Sequence, residues 1–447
     1  MDKIKNAKWR QRFHIEPPDG WLNDPNGLSY FNGEYHVYFQ YSPTAADGST
    51  PRGWGHYHGK DLMHLTYDKA VLMPSISEDR NGVYSGSAVV NNGLLHIFYT
   101  GNVKEIGDFD YVTAGRGANV IHVTSEDGSG MSEKHTLLRN SDYPDFCSCH
   151  VRDPKVWQED GIWKMVLGAR TLDDTGCVLV FHSEDLENWE YAAKVSKDDF
   201  GYMWECPDYF KVGGKGYLSV SPQGLPHYET KYQNLNESGY FPVEGDIENG
   251  VIGEFTEWDM GFDFYAPQTF EAPDGRRILF GWMGMDNKAY GNATIPLGWQ
   301  HCLTLPREIT NAQDGGLLQN PIKEFDALRK TSKLIADGQT AETALPFDLE
   351  SDTDSDFEID FDGKLKLKYD AEGKLFTMEF TDEEYGSGRK VRKAELESCS
   401  KIRVIADMSS IEVYLDGGRV VMGTRFYPDG ESVKLTVKGM NAQVWNF

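Results

Sequence analysis

Basic charge is in short supply in this 447-residue chain: 44 lysines and arginines face 70 aspartates and glutamates, for a formal charge of −26. With a pI near 4.8, such a surface repels phosphate backbones and anionic lipid. That excludes nucleic acid and membrane as partners and leaves neutral solutes or locally shielded anions. Long apolar runs are also missing. No stretch of 18 apolar residues occurs, and the first twenty residues hold nothing of signal-peptide length. A soluble, cytoplasmic protein is the expectation. Cysteine is scarce, with six in the whole chain, too few for a disulfide scaffold, so reduced thiols are expected. Cys147-Ser148-Cys149 followed by His150 would need a second ligand pair at recognisable spacing to make a structural zinc site. No such pair follows in the sequence, and neither a metal nor another cofactor is expected.

What the chain does have is 39% hydrophobic and 13% aromatic residues, enough for a packed core, and a length beyond that at which one core keeps growing, so two domains are expected. A hairpin pattern recurs five times: strand-like Leu28–Phe31 and Glu34–Phe39 around Gly33, then similar pairs around Gly93, Gly161, Gly214 and Gly275. The unit of about 60 residues suits a four-stranded propeller blade with long loops. Five units predict a five-bladed β-propeller over residues 1–318. Asn320-Pro321 followed by Ile322, Phe325 and Leu328 predicts a short connecting helix within a linker at 319–334. Alternating runs with hairpin turns at Asp362-Gly363 and Asp416-Gly417 then predict a β-sandwich over 335–447. The fold class is all-β.

The repeat aligns acids that are far apart in sequence. Asp24 stands nine residues before Gly33, Asp153 eight before Gly161 and Glu205 nine before Gly214. Equivalent positions at the start of innermost strands surround one end of a propeller channel, so the three carboxylates should converge on one funnel. Asn-Asp-Pro-Asn-Gly around Asp24 would also suit a simple turn, Arg152-Asp153 an ion pair, and Glu205 an exposed loop. Three acids gathered at one mouth is electrostatically costly unless a site uses them. Two carboxylates flanking a glycosidic bond suffice for its hydrolysis. Glu205, between Trp204 and Cys206-Pro207, has the most apolar neighbours and should keep its proton, whereas Arg152 should hold Asp153 ionised. Trp21, Trp54, Tyr84, Trp204, Tyr265 and Trp282 could stack on sugar rings or simply fill the core.

At these motifs the chain closely resembles glycoside hydrolase family 32, the invertases, fructanases and sucrose-6-phosphate hydrolases. The resemblance is carried by Trp21 to Gly27, Phe39-Gln40-Tyr41, Trp54-Gly55-His56, Ser85-Gly86-Ser87, Arg152-Asp153-Pro154, Glu205-Cys206-Pro207, Phe264 to Gln268 and Leu305 to Glu308, in that order along nearly the whole chain. It implies a propeller with a C-terminal sandwich and a small-molecule sugar substrate. It further implies Asp24 as nucleophile, Glu205 as acid/base and Asp153 as transition-state stabiliser. Asn23, Gln40, Ser85 and Arg152 would complete the fructosyl pocket, with Trp54, Tyr84, Tyr265 and Trp282 as further substrate contacts. Two departures concern the rim: residues 42 to 53 lack a tryptophan that many relatives carry, and Tyr84 stands where phenylalanine is usual. The expected activity is retaining hydrolysis of sucrose, sucrose 6-phosphate or short fructo-oligosaccharides. An exo-fructanase, a fructosyltransferase and a non-catalytic sugar-binding protein are the alternatives. Arg52, His56, His58 and Lys60 form a candidate phosphate cluster.

Overall fold

The computed structural model describes residues 8–447 except 314 and 354; the first seven residues of the expected propeller lie outside the described residues, as does one position in each domain. Five antiparallel sheets follow one another along the chain. Their innermost strands are Gly20–Phe31, Val83–Asn91, Cys147–Glu159, Met203–Val212 and Tyr265–Glu271. Each packs against the next, and the fifth packs back against the first, which closes a five-bladed ring. A parallel pairing of Gly20-Trp21 with Trp299-Gln300 adds a late segment to the first sheet.

The repeated hairpin has a clear cause in blades 1 to 4. Asn32-Gly33, Asn92-Gly93, Asp160-Gly161 and Gly213-Gly214 all have positive φ at both positions. This is the two-residue turn whose twist matches that of the flanking strands. The fifth hairpin, Glu271 to Arg277, is wider. Each innermost strand also carries a register shift near its start, as at Leu22/Pro25 and Glu205/Asp208. Such bulges re-aim side chains, and here they lie at the acids.

The fifth sheet runs on through Leu317–Pro321, and the expected linker helix is a single turn, Lys323–Asp326, before a sandwich strand begins at Thr331. The linker of 319–334 therefore has strand at both ends, because Leu317–Pro321 pairs with Arg307–Asn311 after a glycine turn. Two six-stranded sheets follow. Their inner faces bury Phe347, Leu349, Ile359, Leu367, Val404, Val413 and Val444, the alternation expected of a sandwich. Among the described residues no helix is long and apolar enough to cross a membrane.

The N-terminal segment is anchored on the sandwich. Backbone N–H groups of Arg12 and Phe13 donate to Asp407, and His14 sits between Asp407 at 2.8 Å and Glu412 at 2.9 Å. Arg307, from blade 5, bonds Glu412 at 2.7 Å and Asp259 at 3.0 Å with no exposure to solvent. The interface between the domains is thus a buried, fully paired polar cluster.

Candidate active site

At one mouth of the ring lies a cavity of about 250 Å³, toward the small end for ligand pockets, lined by Asp24, Asp153 and Glu205 with Asn23, Gln40, Tyr84, Ser85, Arg152, Tyr265 and Trp282 among their neighbours. The three acids come from blades 1, 3 and 4. Asp24 is held on both oxygens: Asn23 Nδ2 donates at 2.9 Å and Ser85 Oγ at 2.5 Å. Trp21 Nε1 in turn donates to Asn23 Oδ1 at 2.8 Å, which fixes the direction of that amide. Gln40 donates to the Val83 carbonyl at 3.0 Å and ties blade 1 to blade 2 at the cavity floor.

Asp153 is 3% exposed and has a left-handed backbone, φ 63°, directly before Pro154. Its N–H donates to Thr100 Oγ1 at 2.7 Å, and its carboxylate accepts from the Cys206 N–H at 2.9 Å. The Cys206 sulfur stands 3.7 Å from Asp24 Oδ2 and 3.6 Å from Asp153 Oδ2, so the two carboxylates face each other across one sulfur atom. The blades are not in quite the register that the turn glycines suggest. Asp24 and Asp153 immediately precede a proline, whereas Glu205 stands two before Pro207, at the level of Arg152.

That offset corrects the expected electrostatics. Arg152 bonds Glu205, not Asp153: its Nε and Nη2 donate to Oε1 at 3.0 and 2.6 Å. Neighbours along a strand point to opposite sides, so adjacency in sequence mispaired them. Tyr265 OH at 2.6 Å and Gln223 Nε2 at 2.7 Å donate to the other oxygen of Glu205. Burial pushes the Glu205 carboxyl up, but Arg152 and these donors outweigh it and leave it below the usual range. Asp153, buried and facing two other acids, is pushed up to about 7 despite Arg152. Burial likewise raises Asp24, against its two hydrogen bonds. Glu205 is thus held in its ionised form, while Asp153 titrates about neutrality.

The expectation for Trp54 is also corrected, and Trp204 takes the core alternative. Trp54 is fully buried among Tyr38, Tyr99 and the blade 1–2 packing, and it reaches the site only through Nε1, which donates to the Tyr84 carbonyl at 3.0 Å. Trp204 is equally buried and donates to Phe200. Of the candidate phosphate cluster only Arg52 lines the cavity. His56 is buried in a stack with His36, ring centroids 5.2 Å apart, and His58 bonds Glu34 at 2.7 Å. The alternation of a strand sends these side chains away from the mouth.

Residues the sequence did not single out complete the lining: Gln223, Arg116, Asn236 and Asp286. His150 also belongs there, its Nδ1 accepting from Arg152 at 2.9 Å while its Nε2 lies 2.9 Å from the Tyr111 carbonyl. Burial and the neighbouring Arg152 and Arg116 lower it to about 4, so the ring is neutral and serves to orient the guanidinium. Gln223 ends the strand that pairs with Glu205's own, a position the hairpin repeat could have indicated.

The chain's comparisons with known proteins agree over its whole length. Residues 14–321 match the glycosyl hydrolases family 32 N-terminal domain and residues 315–446 the family 32 C-terminal domain. The chain belongs to glycosyl hydrolase family 32. Among its family 32 relatives, the sucrose-6-phosphate hydrolase of Bacillus subtilis is 37% identical over 98% of this chain and 94% of its own length. The raffinose invertase of Escherichia coli is 36% identical over 96% and 92%. Among solved structures, the sucrose-6-phosphate hydrolase from Lactobacillus gasseri superposes with a TM-score of 0.89 at 25% identity, covering 99% of this chain and 94% of that one. The Bombyx mori family 32 β-fructofuranosidase does so with 0.86 at 29%, covering 99% and 95%. The five-bladed propeller with its C-terminal sandwich is the family 32 fold.

Proposed function

We propose that this family 32 chain is a retaining β-fructofuranosidase that releases fructose from β-D-fructofuranosides. The observation that carries the reading is the meeting of three carboxylates from three blades in one small cavity. Asp24 attacks the anomeric carbon of fructose as the glycosidic C–O bond breaks. Glu205 gives its proton to the leaving oxygen, and Asp153 holds fructose hydroxyls as positive charge develops on the ring. Water, deprotonated by Glu205, then cleaves the fructosyl ester and restores Asp24. The ionised Glu205 is the base form of that second step. For the first step Glu205 takes up a proton, and the three neighbouring acids titrate as one coupled unit.

A phosphorylated aglycone is the substrate preference that the rim supports. Arg52 and Arg116 both line the cavity and, among the described residues, neither pairs with a carboxylate. Arg52 lies over the Trp21 ring at 5.5 Å. Arg116 bonds Asn102 at 3.0 Å and keeps a buried Nε without a partner. Unpaired guanidinium groups at the mouth of a protein of charge −26 suit an anionic ligand. Such a sugar is confined to the interior of a cell, and a cytoplasmic location is part of the same proposal. A fructosyltransferase would use the same acids and would be recognised by transfer products at high sucrose.

The test is fructose release from sucrose, sucrose 6-phosphate and fructo-oligosaccharides, with the first-formed anomer followed by NMR. β-Fructofuranose as initial product is expected, and an α-anomer would show inversion and overturn the mechanism. Arg52→Ala with Arg116→Ala should lower kcat/KM for the phosphorylated sugar by about 100-fold, as loss of two charge-assisted contacts implies. The same pair should change sucrose hydrolysis by less than about threefold, since no charge is lost from that substrate.

A further inference from the structure

The sandwich grips the two loops that complete the cavity's outer rim. One loop runs from Gly224 to Ser238 and brings Asn236 to the cavity; the other runs from Gly284 to Thr294 and brings Asp286. Both converge on the strand Val391–Glu395, which lies at the edge of its sheet, and on Arg389 just before it. An edge strand exposes unpaired backbone groups. Here Gln233 covers them with its side-chain amide, donating to the Lys393 carbonyl at 2.7 Å and accepting the Lys393 N–H at 3.0 Å.

Arg392 joins the loops to each other. Its Nη2 donates to Asn234 Oδ1 at 2.8 Å, in the first loop, and to the Tyr290 hydroxyl at 2.5 Å, in the second, while Nε also reaches Asn234 at 3.2 Å. The guanidinium rests on the Phe262 ring at 4.4 Å. Arg389 fastens the second loop further along, donating to the Gly291 carbonyl at 2.9 Å and to Asn292 at 3.1 Å, and is itself fixed by two bonds to Asp263 at 2.6 and 2.7 Å.

The first loop leads directly to Glu205. Asn234 is 3% exposed. Two residues on, Asn236 pairs through its backbone with Gln223, whose side chain donates to Glu205 Oε2 at 2.7 Å. A displacement of Asn234 therefore moves the strand end that carries one of the four donors to Glu205. Hydrogen bonds from Arg392 to Asn234, two residues of chain, the Asn236–Gln223 pairing and the Gln223–Glu205 bond thus connect the sandwich edge to the cavity.

We infer that Arg392 is a positioning residue for the hydrolysis: by holding Asn234 and Tyr290 together it sets the aglycone side of the cavity and, through Asn236 and Gln223, the orientation of Glu205. This rests on Glu205 being the acid/base of the proposed mechanism. The sandwich is then a working part of the site, in addition to its packing role.

The test compares Arg392→Ala and Asn234→Ala with wild type on sucrose and on an aryl β-fructofuranoside, whose good leaving group needs little protonation. Both variants should lose about 10-fold or more in kcat/KM on sucrose, yet less than about threefold in kcat/KM on the aryl substrate, because kcat/KM reports only the first, bond-breaking step and not the second step in which Glu205 acts as base on either substrate. The double variant should be no worse than the poorer single one, as for residues acting through one route. Equal losses on both substrates, or wild-type kinetics in a folded variant, would overturn the inference. If Arg392→Ala does not fold, Asn234→Ala decides alone. Glu205→Gln, run beside them, separates the two readings. Should it lose nothing on sucrose, the assignment of Glu205 fails; should it be inactive on sucrose while the Arg392 variant is unaffected, only the clamp fails.

Discussion

Three guanidinium groups line the cavity that holds Asp24, Asp153 and Glu205, but among the described residues only that of Arg152 forms an ion pair with one of the acids, Glu205. At the interface between propeller and sandwich, Asp259, Asp407 and Glu412 are also gathered in the interior, but they share Arg307, His14 and several backbone N–H groups. The consequences for protonation diverge. Burial tends to raise Glu412, yet Arg307, His14 and Tyr414 bring it down to about 2, whereas Asp153 is pushed up to about 7. Burial pulls His14 down, and Asp407 and Glu412 outweigh it to give about 9. At the interface Asp407 and Glu412 are brought down by their partners, although burial still raises Asp259, whereas in the cavity Arg152 and its neighbours lower only Glu205, and Asp24 and Asp153 are left raised. Acids left uncompensated in a cavity are what the proposed chemistry would use, at a cost in stability.

The sharpest way to break this comparison is to neutralise one acid in each cluster. Asp24→Asn, which removes the proposed nucleophile, should lower kcat/KM by roughly 10⁴-fold or more, while leaving the melting temperature unchanged or higher. Glu412→Gln should do the reverse, costing about 3–5 kcal/mol because Arg307 and His14 are left buried without their partner, with kcat per folded molecule kept. Denaturant unfolding and fructose release on both variants check the pair; an inactive but stable Glu412→Gln would erase the distinction.

A smaller effect separates the clusters by pH. His14 has a folded pKa of about 9, above the 6.5 of a free imidazole. Its contribution is therefore complete below about pH 6.5 and is lost as pH rises through 9. Melting temperature should fall between pH 7 and 10 in the wild type and fall less in His14→Gln. The smallest effect belongs to Asp153, whose raised folded pKa makes the native state bind more protons than the unfolded chain between about pH 4 and 7. Asp153→Asn should match wild-type stability near pH 4 and exceed it by about 1 kcal/mol or more at pH 8; a variant no more stable at pH 8 would mean the cavity acids are better compensated than their geometry indicates.

The blades were legible in the sequence because their turns are written locally, in Asn32-Gly33 or Asp160-Gly161, where two adjacent residues suffice to specify a hairpin. The gathering of Asp24, Asp153 and Glu205 in one cavity followed from counting back from those turns. What could not be read depends on partners that share no local pattern. Arg152 reaches Glu205 across 53 positions, and His14 reaches Asp407 across 393. Adjacency made Arg152 look like the partner of Asp153, and apolar neighbours made Glu205 look protonated; both readings failed because a strand turns consecutive side chains apart. Gln223 and Arg116 carry no composition signal at all. Trp54 was misplaced for a related reason, since an aromatic beside a motif is as well suited to the gap between blades as to a sugar ring.

The pairing of Gly20-Trp21 with Trp299-Gln300 bears on how the molecule comes into being. Asp24 lies on a strand made early in synthesis, yet the sheet containing it is not complete until the segment near residue 300 has emerged, and the N-terminal segment has no seat until Asp407 arrives. A nascent chain can form its hairpins one by one, but ring closure needs contacts hundreds of residues apart, the slow and aggregation-exposed kind. Asp24, Asp153 and Glu205 thus share a closed ring only after the segment near residue 300 has emerged.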